Sequence, residues 1–223
     1  SIVVQGMDPY SAGPVQLLGA GDKLARSVPF IWANSPSPYG PVALGLAAVV
    51  SLITANSILL GVIAHRLLSI AGIIVAGWAI SCLARRCRVS PESALWLGIL
   101  NPLTILHLVG GIHNESIMLG LLLVGMEMGL RGVDKLGRSR RSAYLTLAAS
   151  GFCLSCAGMV KVTGFIGLGF VGMAYARYLI EKNGTPRWKA LACAIALQLV
   201  VLVATVALIS ACLLSTSPSP RDS

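Results

Sequence analysis

Between residues 67 and 214 the chain runs through six apolar stretches, roughly 67–84, 93–110, 116–130, 143–160, 162–178 and 190–214. Most approach the length of about 20 residues that an α-helix needs to cross a hydrocarbon core of about 30 Å at about 1.5 Å per residue. Hydrocarbon offers the backbone no hydrogen-bonding partner, so segments like these must be helical, and they leave no place for a water-soluble core. Charge content agrees: 11% of the 223 residues are charged and 56% are hydrophobic, against roughly 25% charged in a soluble domain. The fold class expected is all-α, a polytopic transmembrane helix bundle.

Seventeen Lys and Arg against eight Asp and Glu are enough to orient the spans, because cytoplasmic loops are enriched in basic residues. Residues 41–64 decide the register. They are apolar enough for a seventh span, yet His65 and Arg66 follow with no loop before the next run. If 41–64 crosses, Arg66 falls opposite Arg85, Arg86 and Arg88, and every later loop changes side. If it lies along the outer surface, the inner loops gather Arg85, Arg86 and Arg88; then Arg131, Lys135, Arg138, Arg140 and Arg141; then Arg177, Lys182, Arg187 and Lys189. Lys23, Arg26, Arg66, Lys161 and Arg221 stay outside. Twelve inside against five outside fits the positive-inside rule and selects six spans behind an extracytoplasmic N-terminal segment.

Thr54, Asn56 and Ser57 interrupt 41–64, and Pro36, Pro38 and Pro41 precede it. The stretch therefore reads as two short helices lying flat in the interface, with an ordinary span as the other reading. The organisation expected is an outer loop with interfacial helices over 1–64, a six-span section over 65–214, and a disordered tail over 215–223, which has nothing apolar behind it to pack. The chain opens on Ser1 with about 40 polar, Pro-rich residues and no basic then apolar leader, so a fragment without a targeting segment is expected.

On this register the outer face collects Asp8, Tyr10, Asp22, the WANSPSPYGP stretch (32–41) with Tyr39, Arg66, His113, Asn114, Glu115 and Lys161. From Ser116 to Leu130 the apolar run makes about 23 Å of helix. That is short of the core, so GGIHNE is expected to sit below the membrane surface, against a cavity or other protein. Residues 143–178 carry one charge other than the inner Arg177, Lys161 near the middle; two spans meeting there place it at a shallow outer hairpin. Ionisable groups at membrane depth are functional candidates by default, and Glu115 and Lys161 lead them, against the alternatives of a structural ion pair or a snorkelling Lys. His113 and Asn114 gain weight by adjacency. Arg66 reads equally as an interface anchor, and His65 and His107 as packing residues. A carboxylate can serve as general base on an acceptor hydroxyl and a cation can stabilise a leaving phosphate, so the set suits a lipid-linked anionic substrate.

Other patterns read as packing. Cys153 and Cys156 form a CxxC inside an apolar span with no second pair to complete tetrahedral metal ligation, so no metal is expected. Cys82, Cys193 and Cys212 also lie in apolar stretches and support no disulfide framework. GMEMG (125–129) is a GxxxG that favours close helix contact, with Glu127 at the cytoplasmic interface or facing the bundle. Glycines 164, 167, 169 and 172 lack the GK[ST] of a phosphate loop. Nucleic-acid binding has neither motif nor aromatic support.

DPYSAGP (8–14), NSPSPYGPV (34–42), HRLLSIAG (65–72) running on to LARR, NPLTILHLVGGIHNESIMLGLLL (101–123) and MVK (159–161) together resemble the actinobacterial polyprenol-phosphomannose-dependent α-1,6-mannosyltransferases. These are membrane glycosyltransferases of the GT-C architecture, and the resemblance runs through about residues 1–210. It implies a long first outer loop with flat helices, in line with the charge-based register. The activity it implies is transfer of mannose from a polyprenyl phosphate to a lipid-anchored α-1,6-mannan, with inversion and without cofactor, on the outer face of the plasma membrane. Under it Glu115, His113 and Asn114 line the donor or acceptor site, Lys161 and Arg66 face the donor phosphate, and Asp8, Tyr10 and Tyr39 are substrate-positioning candidates. The catalytic base of such enzymes is expected on an acidic loop upstream of Ser1, and the chain alone is expected to be inactive. Transfer of another sugar, such as arabinose, is the alternative within the class; a lipid-linked saccharide flippase, which should show paired broken helices in an internal repeat, is the alternative outside it.

Overall fold

The computed structural model describes residues 8–55 and 57–215, which are all helix, turn or coil. The N-terminal segment, expected on the outer side, holds two short helices, α1 (Pro14–Leu18) and α2 (Lys23–Ser27), then a 3-10 turn at Phe30–Trp32. Asp22 starts α2 by accepting from the backbone N–H groups of Leu24 at 2.8 Å and Ala25 at 3.3 Å, the usual role of an N-cap carboxylate. Helix α3 (Pro41–Ile53) begins with proline in its first turn, where the missing N–H costs nothing. Its 13 residues make about 20 Å, too short to cross, and it packs through Ala43 on Met118, Ala157 and Val160.

The chain breaks at 54–57, where Thr54 Oγ1 donates to the Val50 carbonyl at 2.8 Å, Ala55 takes a φ of 47°, and Ser57 caps the next helix; Asn56 lies outside the described residues. Helix α4 (Ile58–Arg86) then runs 29 residues without interruption. The boundary drawn at 64/65 falls inside it, and the second of the two flat helices read into 41–64 is instead the first two turns of the span. His65 and Arg66 continue the helix, the first bonding back along it and the second reaching another element. His65 Nδ1 is 2.9 Å from the Gly61 carbonyl, and Arg66 reaches out to the Gly110 carbonyl at 3.4 Å.

The second stretch, expected as one span over 93–110, is a bent pair. Helix α5 (Pro91–Gly98) and helix α6 (Pro102–Thr104), which continues as a π-helical turn over Ile105–Gly110, meet at 49°. Asn101 and Pro102 explain the bend: Pro102 cannot continue the earlier hydrogen-bond ladder, and Asn101 Oδ1 caps the new helix on the Leu103 N–H at 2.8 Å. Five long apolar helices remain among the described residues: α4, α7 (Glu115–Lys135), α8 (Arg140–Val160), α9 (Ile166–Asn183) with the 3-10 turn that precedes it, and α10 (Arg187–Ser215).

Ion pairs settle whether the bent pair returns the chain across the bundle. Arg86, the last residue of α4, bonds Glu127 at 2.8 Å and Asp134 at 2.7 Å in the C-terminal half of α7. At the other end, glycines 72 and 120 bring the two backbones together: a Cβ built on Gly72 would stand 2.6 Å from the Ser116 carbonyl oxygen, and one on Gly120 would stand 2.7 Å from that of Gly72. Helices α4 and α7 therefore run the same way, so the segment between them must cross back, which makes six crossings. Small residues at such a crossing are how membrane helices approach closely. Helix α8 returns antiparallel to α7, with Ser150 Oγ donating to the Gly125 carbonyl at 2.6 Å. The core under α8, α9 and α10 is built on Leu147, Leu154, Leu168, Val171 and Tyr175.

Helix α7 corrects the depth argument. Its 21 residues make about 32 Å, a full hydrocarbon thickness, because Arg131 continues the helix with its charge met by Glu127 at 2.7 Å. The length of the span thus gives no reason for GGIHNE to lie below the surface. Residues 1–7 and 216–223 lie outside the described residues, and Ser215, where the disordered tail was expected to begin, is the last residue of α10.

Candidate functional site

The turn before α7 is built by strain and stacking. The π-helical turn ends in Gly110 and Gly111, and Ile112 follows with a φ of 53°. A β-branched residue in the left-handed region is a true outlier, and such strain persists only where its surroundings hold it. Two contacts do so here. The His113 N–H donates to the Leu108 carbonyl at 3.1 Å, and the His107 and His113 rings stack with centroids 4.1 Å apart. Gly111 leaves them room: a Cβ there would stand 2.6 Å from the His107 carbonyl oxygen and 2.8 Å from the His113 ring. Ser116 Oγ then donates to the His113 carbonyl at 2.9 Å, locking the turn onto the first turn of α7.

That turn delivers Glu115 to Lys161, 46 positions later. Lys161 sits in extended backbone between α8 and the following 3-10 turn, and its Nζ donates to Glu115 Oε1 at 2.5 Å. The second carboxylate oxygen, Oε2, is buried, takes no hydrogen bond from the described residues, and lies 3.7 Å from His113 Nδ1. The Glu115 side chain is 21% exposed and that of Lys161 42% exposed, so the ammonium keeps N–H bonds free toward the outside. Hydrogen bonding to Glu115 holds the Lys161 pKa above its ordinary value, and the group is a fixed cation at neutral pH. Tyr39 stands in the field of both. Burial first, and then the Glu115 carboxylate, raise its pKa against the opposing effect of Lys161, so its phenol stays protonated and able to donate.

The structure therefore gathers Tyr39, His113, Glu115 and Lys161 at one end of the bundle. Asn114 is the N-cap of α7 without a side-chain capping bond; its carbonyl accepts from the Ile117 and Met118 N–H groups, each at 3.1 Å. Arg66 is exposed and contacts the π-turn two residues ahead of Ile112. Asp8 bonds within its own turn, where its Oδ1 accepts from the Tyr10 N–H at 2.9 Å and its carbonyl from Ser11 Oγ at 3.0 Å, while the Tyr10 side chain is exposed. Tyr39 also opens onto an apolar groove of about 500 Å³ folded from the outer segment, with Pro9, Leu17, Trp32, Pro36 and Leu44 in its wall. The PYGP turn is fastened to the ion-pair end by the Gly40 N–H, which donates to the Val160 carbonyl at 3.1 Å, one residue before Lys161.

A family model described as alpha-(1->6)-mannopyranosyltransferase, N-terminal domain, matches residues 1–177. The chain belongs to this family. It is 58% identical over 211 residues to alpha-(1->6)-mannopyranosyltransferase B of Corynebacterium glutamicum, covering 94% of this chain and 35% of that protein. It is 41% identical over 192 residues to a probable alpha-(1->6)-mannopyranosyltransferase of Mycolicibacterium smegmatis, covering 78% and 34%. To alpha-(1->6)-mannopyranosyltransferase A of Mycobacterium tuberculosis it is 33% identical over 211 residues, covering 95% and 38%. The chain thus spans about a third of the length of the curated relatives it matches. No solved structure matches it.

Two features of this mannopyranosyltransferase-family segment escaped sequence reasoning. His107, read as packing, forms the stack that orients His113; the paired glycines at 110 and 111 mark the reversal that makes this possible, but the π-turn has no sequence signature. At the inner end, Glu127 accepts from Arg86 and Arg131, Arg86 also binds Asp134, and the Arg131 guanidinium lies 5.3 Å from the Trp78 ring centroid. The spacing of Glu127 and Arg131 is a readable helix pair; the link to Arg86 is not. Measured along α7 from Glu115, Asp134 lies about 29 Å away and Glu127 about 18 Å. Glu127 is thus the carboxylate at membrane depth, facing the bundle and paired, as such groups must be.

Proposed function

We propose that the native protein transfers mannose from a polyprenyl-phosphate donor to an α-1,6-mannan acceptor carried on a lipid anchor, at the outer face of the plasma membrane. The residues of this chain supply the subsite at the outer ends of α7 and α8. The observation that carries the reading is the Glu115–Lys161 pair. A cation with free N–H bonds, held by a carboxylate, stands beside the polar His113 ring and Tyr39 phenol and next to an apolar groove. An anionic head with a polar sugar and an apolar chain asks for those three features in that order.

In the reaction the bond between the mannose anomeric carbon and the phosphate oxygen breaks while a bond to the acceptor hydroxyl oxygen forms on the opposite face, which inverts the anomeric centre. Lys161 meets the charge that develops on the departing phosphate. Glu115 holds Lys161 through Oε1 and turns its buried Oε2 toward the His113 ring, so it positions the groups that face the sugar. The proton of the acceptor hydroxyl goes to a base that we do not assign to any residue of this chain. His113, held by His107, and the Tyr39 phenol are further donors around the sugar.

Lys161→Met and Glu115→Gln, introduced into the native-length protein, test this. With labelled polyprenyl-phosphate mannose, Lys161→Met is expected to lower kcat/KM by about 100-fold, the size of one lost charge-stabilising donor. Glu115→Gln is expected mainly to raise the KM. Unchanged transfer in both variants sinks the assignment of the site, and preferred use of polyprenyl-phosphate arabinose sinks the choice of sugar.

A further inference from the structure

The opposite, inner end of the bundle carries a second concavity. An open groove of about 410 Å³ runs between the C-terminal half of α7 and the first turns of α8. Its inner end is polar, with Ser139, Arg141 and Ser142; Leu145 and Thr146 follow about one turn further along α8, then Ala149, and α7 contributes Met128. From Ser139 to Ala149 this is about 15 Å along the helix, comparable to a phospholipid headgroup followed by the upper part of its chains.

The charge at the polar end is uncompensated. Lys135 Nζ donates to Thr146 Oγ1 at 3.0 Å, and Thr146 Oγ1 donates to the Ser142 carbonyl at 2.7 Å. An ammonium therefore stands beside the groove, bonded to its lining residue Thr146, with a hydroxyl as its partner in place of a carboxylate. Arg86, Arg131 and Arg177, also on the inner side, each have an acidic partner. Among the described residues none is within ion-pair distance of Lys135, Arg138, Arg140 or Arg141. The groove also opens sideways, onto a face whose apolar side chains point outward: Leu145 beside it and Tyr144 next in sequence are both exposed. A basic end beside an apolar wall asks for an amphipathic occupant with an anion at the inner end.

We propose that this groove binds an anionic phospholipid of the inner leaflet, its phosphate between Arg141 and Lys135 and one acyl chain against Met128, Leu145 and Ala149. Basic concavities between transmembrane helices on the cytoplasmic side recognise anionic headgroups on the same physical grounds. The site lies at the far end of α7 from Glu115, and its occupancy is read by binding alone, independently of mannosyl transfer.

The test is lipid retention by the native-length protein purified in a neutral detergent, followed by native mass spectrometry and by thermal unfolding. Phosphatidylglycerol, phosphatidylcholine and inorganic phosphate are the probes, at matched ionic strength. Phosphatidylglycerol is expected to remain bound and to raise the Tm, with phosphatidylcholine and inorganic phosphate doing neither. Arg141→Gln, at an exposed position that carries no packing, should weaken phosphatidylglycerol binding about tenfold, and Ala149→Leu, which fills the floor without touching a charge, should weaken it as well. Arg177→Gln, outside the groove, should not. Equal weakening by Arg177→Gln, or undiminished binding in both groove variants, overturns the proposal, and so does stabilisation by inorganic phosphate equal to that by the lipid.

Discussion

Replacing Glu127 by Gln removes one charge from the bundle interior and changes little else. The Glu127 side chain is 3% exposed and accepts from Arg86 Nε at 2.8 Å and Arg131 Nε at 2.7 Å. Hydrogen bonds to charged groups contribute about 1.5–3 kcal/mol each, neutral ones about 0.5–1.5. The glutamine still offers one acceptor oxygen, so one charge-assisted bond weakens and the other is lost. Arg86 keeps Asp134, which limits the damage. The net cost is about 2–4 kcal/mol, overlapping the lower part of the range of about 3–5 kcal/mol for breaking a buried pair from one side. Asp134→Asn is the internal comparison: its side chain is 63% exposed, and exposed pairs contribute about 0–1 kcal/mol. Denaturant titration in mixed micelles, with both variants followed by the same probe, measures the difference. On an Arg131→Gln background the Glu127→Gln cost should shrink, because the two residues share one interaction. Equal costs for Glu127→Gln and Asp134→Asn, or a cost below about 1 kcal/mol for the former, would refute the view that Glu127 is the buried hub joining α4 to α7.

Gly72→Ala drives a methyl against the Ser116 carbonyl oxygen at 2.6 Å and should lower stability by about 1–3 kcal/mol, read as a fall in Tm; Gly169→Ala, where nothing lies within 4 Å, should leave the Tm unchanged. Glu115 raises the Lys161 pKa above its ordinary value, so the pair's contribution is complete below that ordinary value and is lost only as the pH climbs through the raised one. At about pH 9, acylation of Lys161 by an amine reagent should thus be slower than that of Lys23, and Glu115→Gln should accelerate it; equal rates in parent and variant count against the pair. Cysteines placed at Asn34 and Arg138 should react with a membrane-impermeant thiol reagent from opposite sides of the membrane, and labelling of both from one side rules out six crossings behind an outer segment.

The spans were legible because each depends on its own residues. Ile58–Arg86 and Arg187–Ser215 exceed any plausible threshold of length and apolarity, and their helical state follows without reference to neighbours. Glu115 and Lys161 stood out for the same reason, as lone charges flanking apolar runs. The errors arose where a polar residue was read in isolation. His65 and Arg66 looked like the end of an element, yet the first bonds back along its helix and the second reaches across to Gly110. Arg131 looked like the end of a span, yet Glu127 one turn earlier carries it further inward. Asn101 and Pro102 signalled the bend inside the second stretch and were passed over in favour of its overall apolarity.

Hydropathy and charge are sums over short windows, so the sequence alone determined that this is an all-α membrane bundle, which loops are basic, and which few ionisable residues lie apart from those loops. Pairing is a matter of where helices cross, and no window contains that. Only the tertiary structure brought Glu115 to Lys161 across 46 positions and Arg86 to Glu127 across 41. The close approach of Gly72 and Gly120 sets the α4–α7 crossing, and the strained turn at Ile112 aims His113 and Glu115. In a medium that gives a buried charge no water to fall back on, those crossings turn isolated charges into one neutral network at the inner end and a half-open ion pair at the outer one.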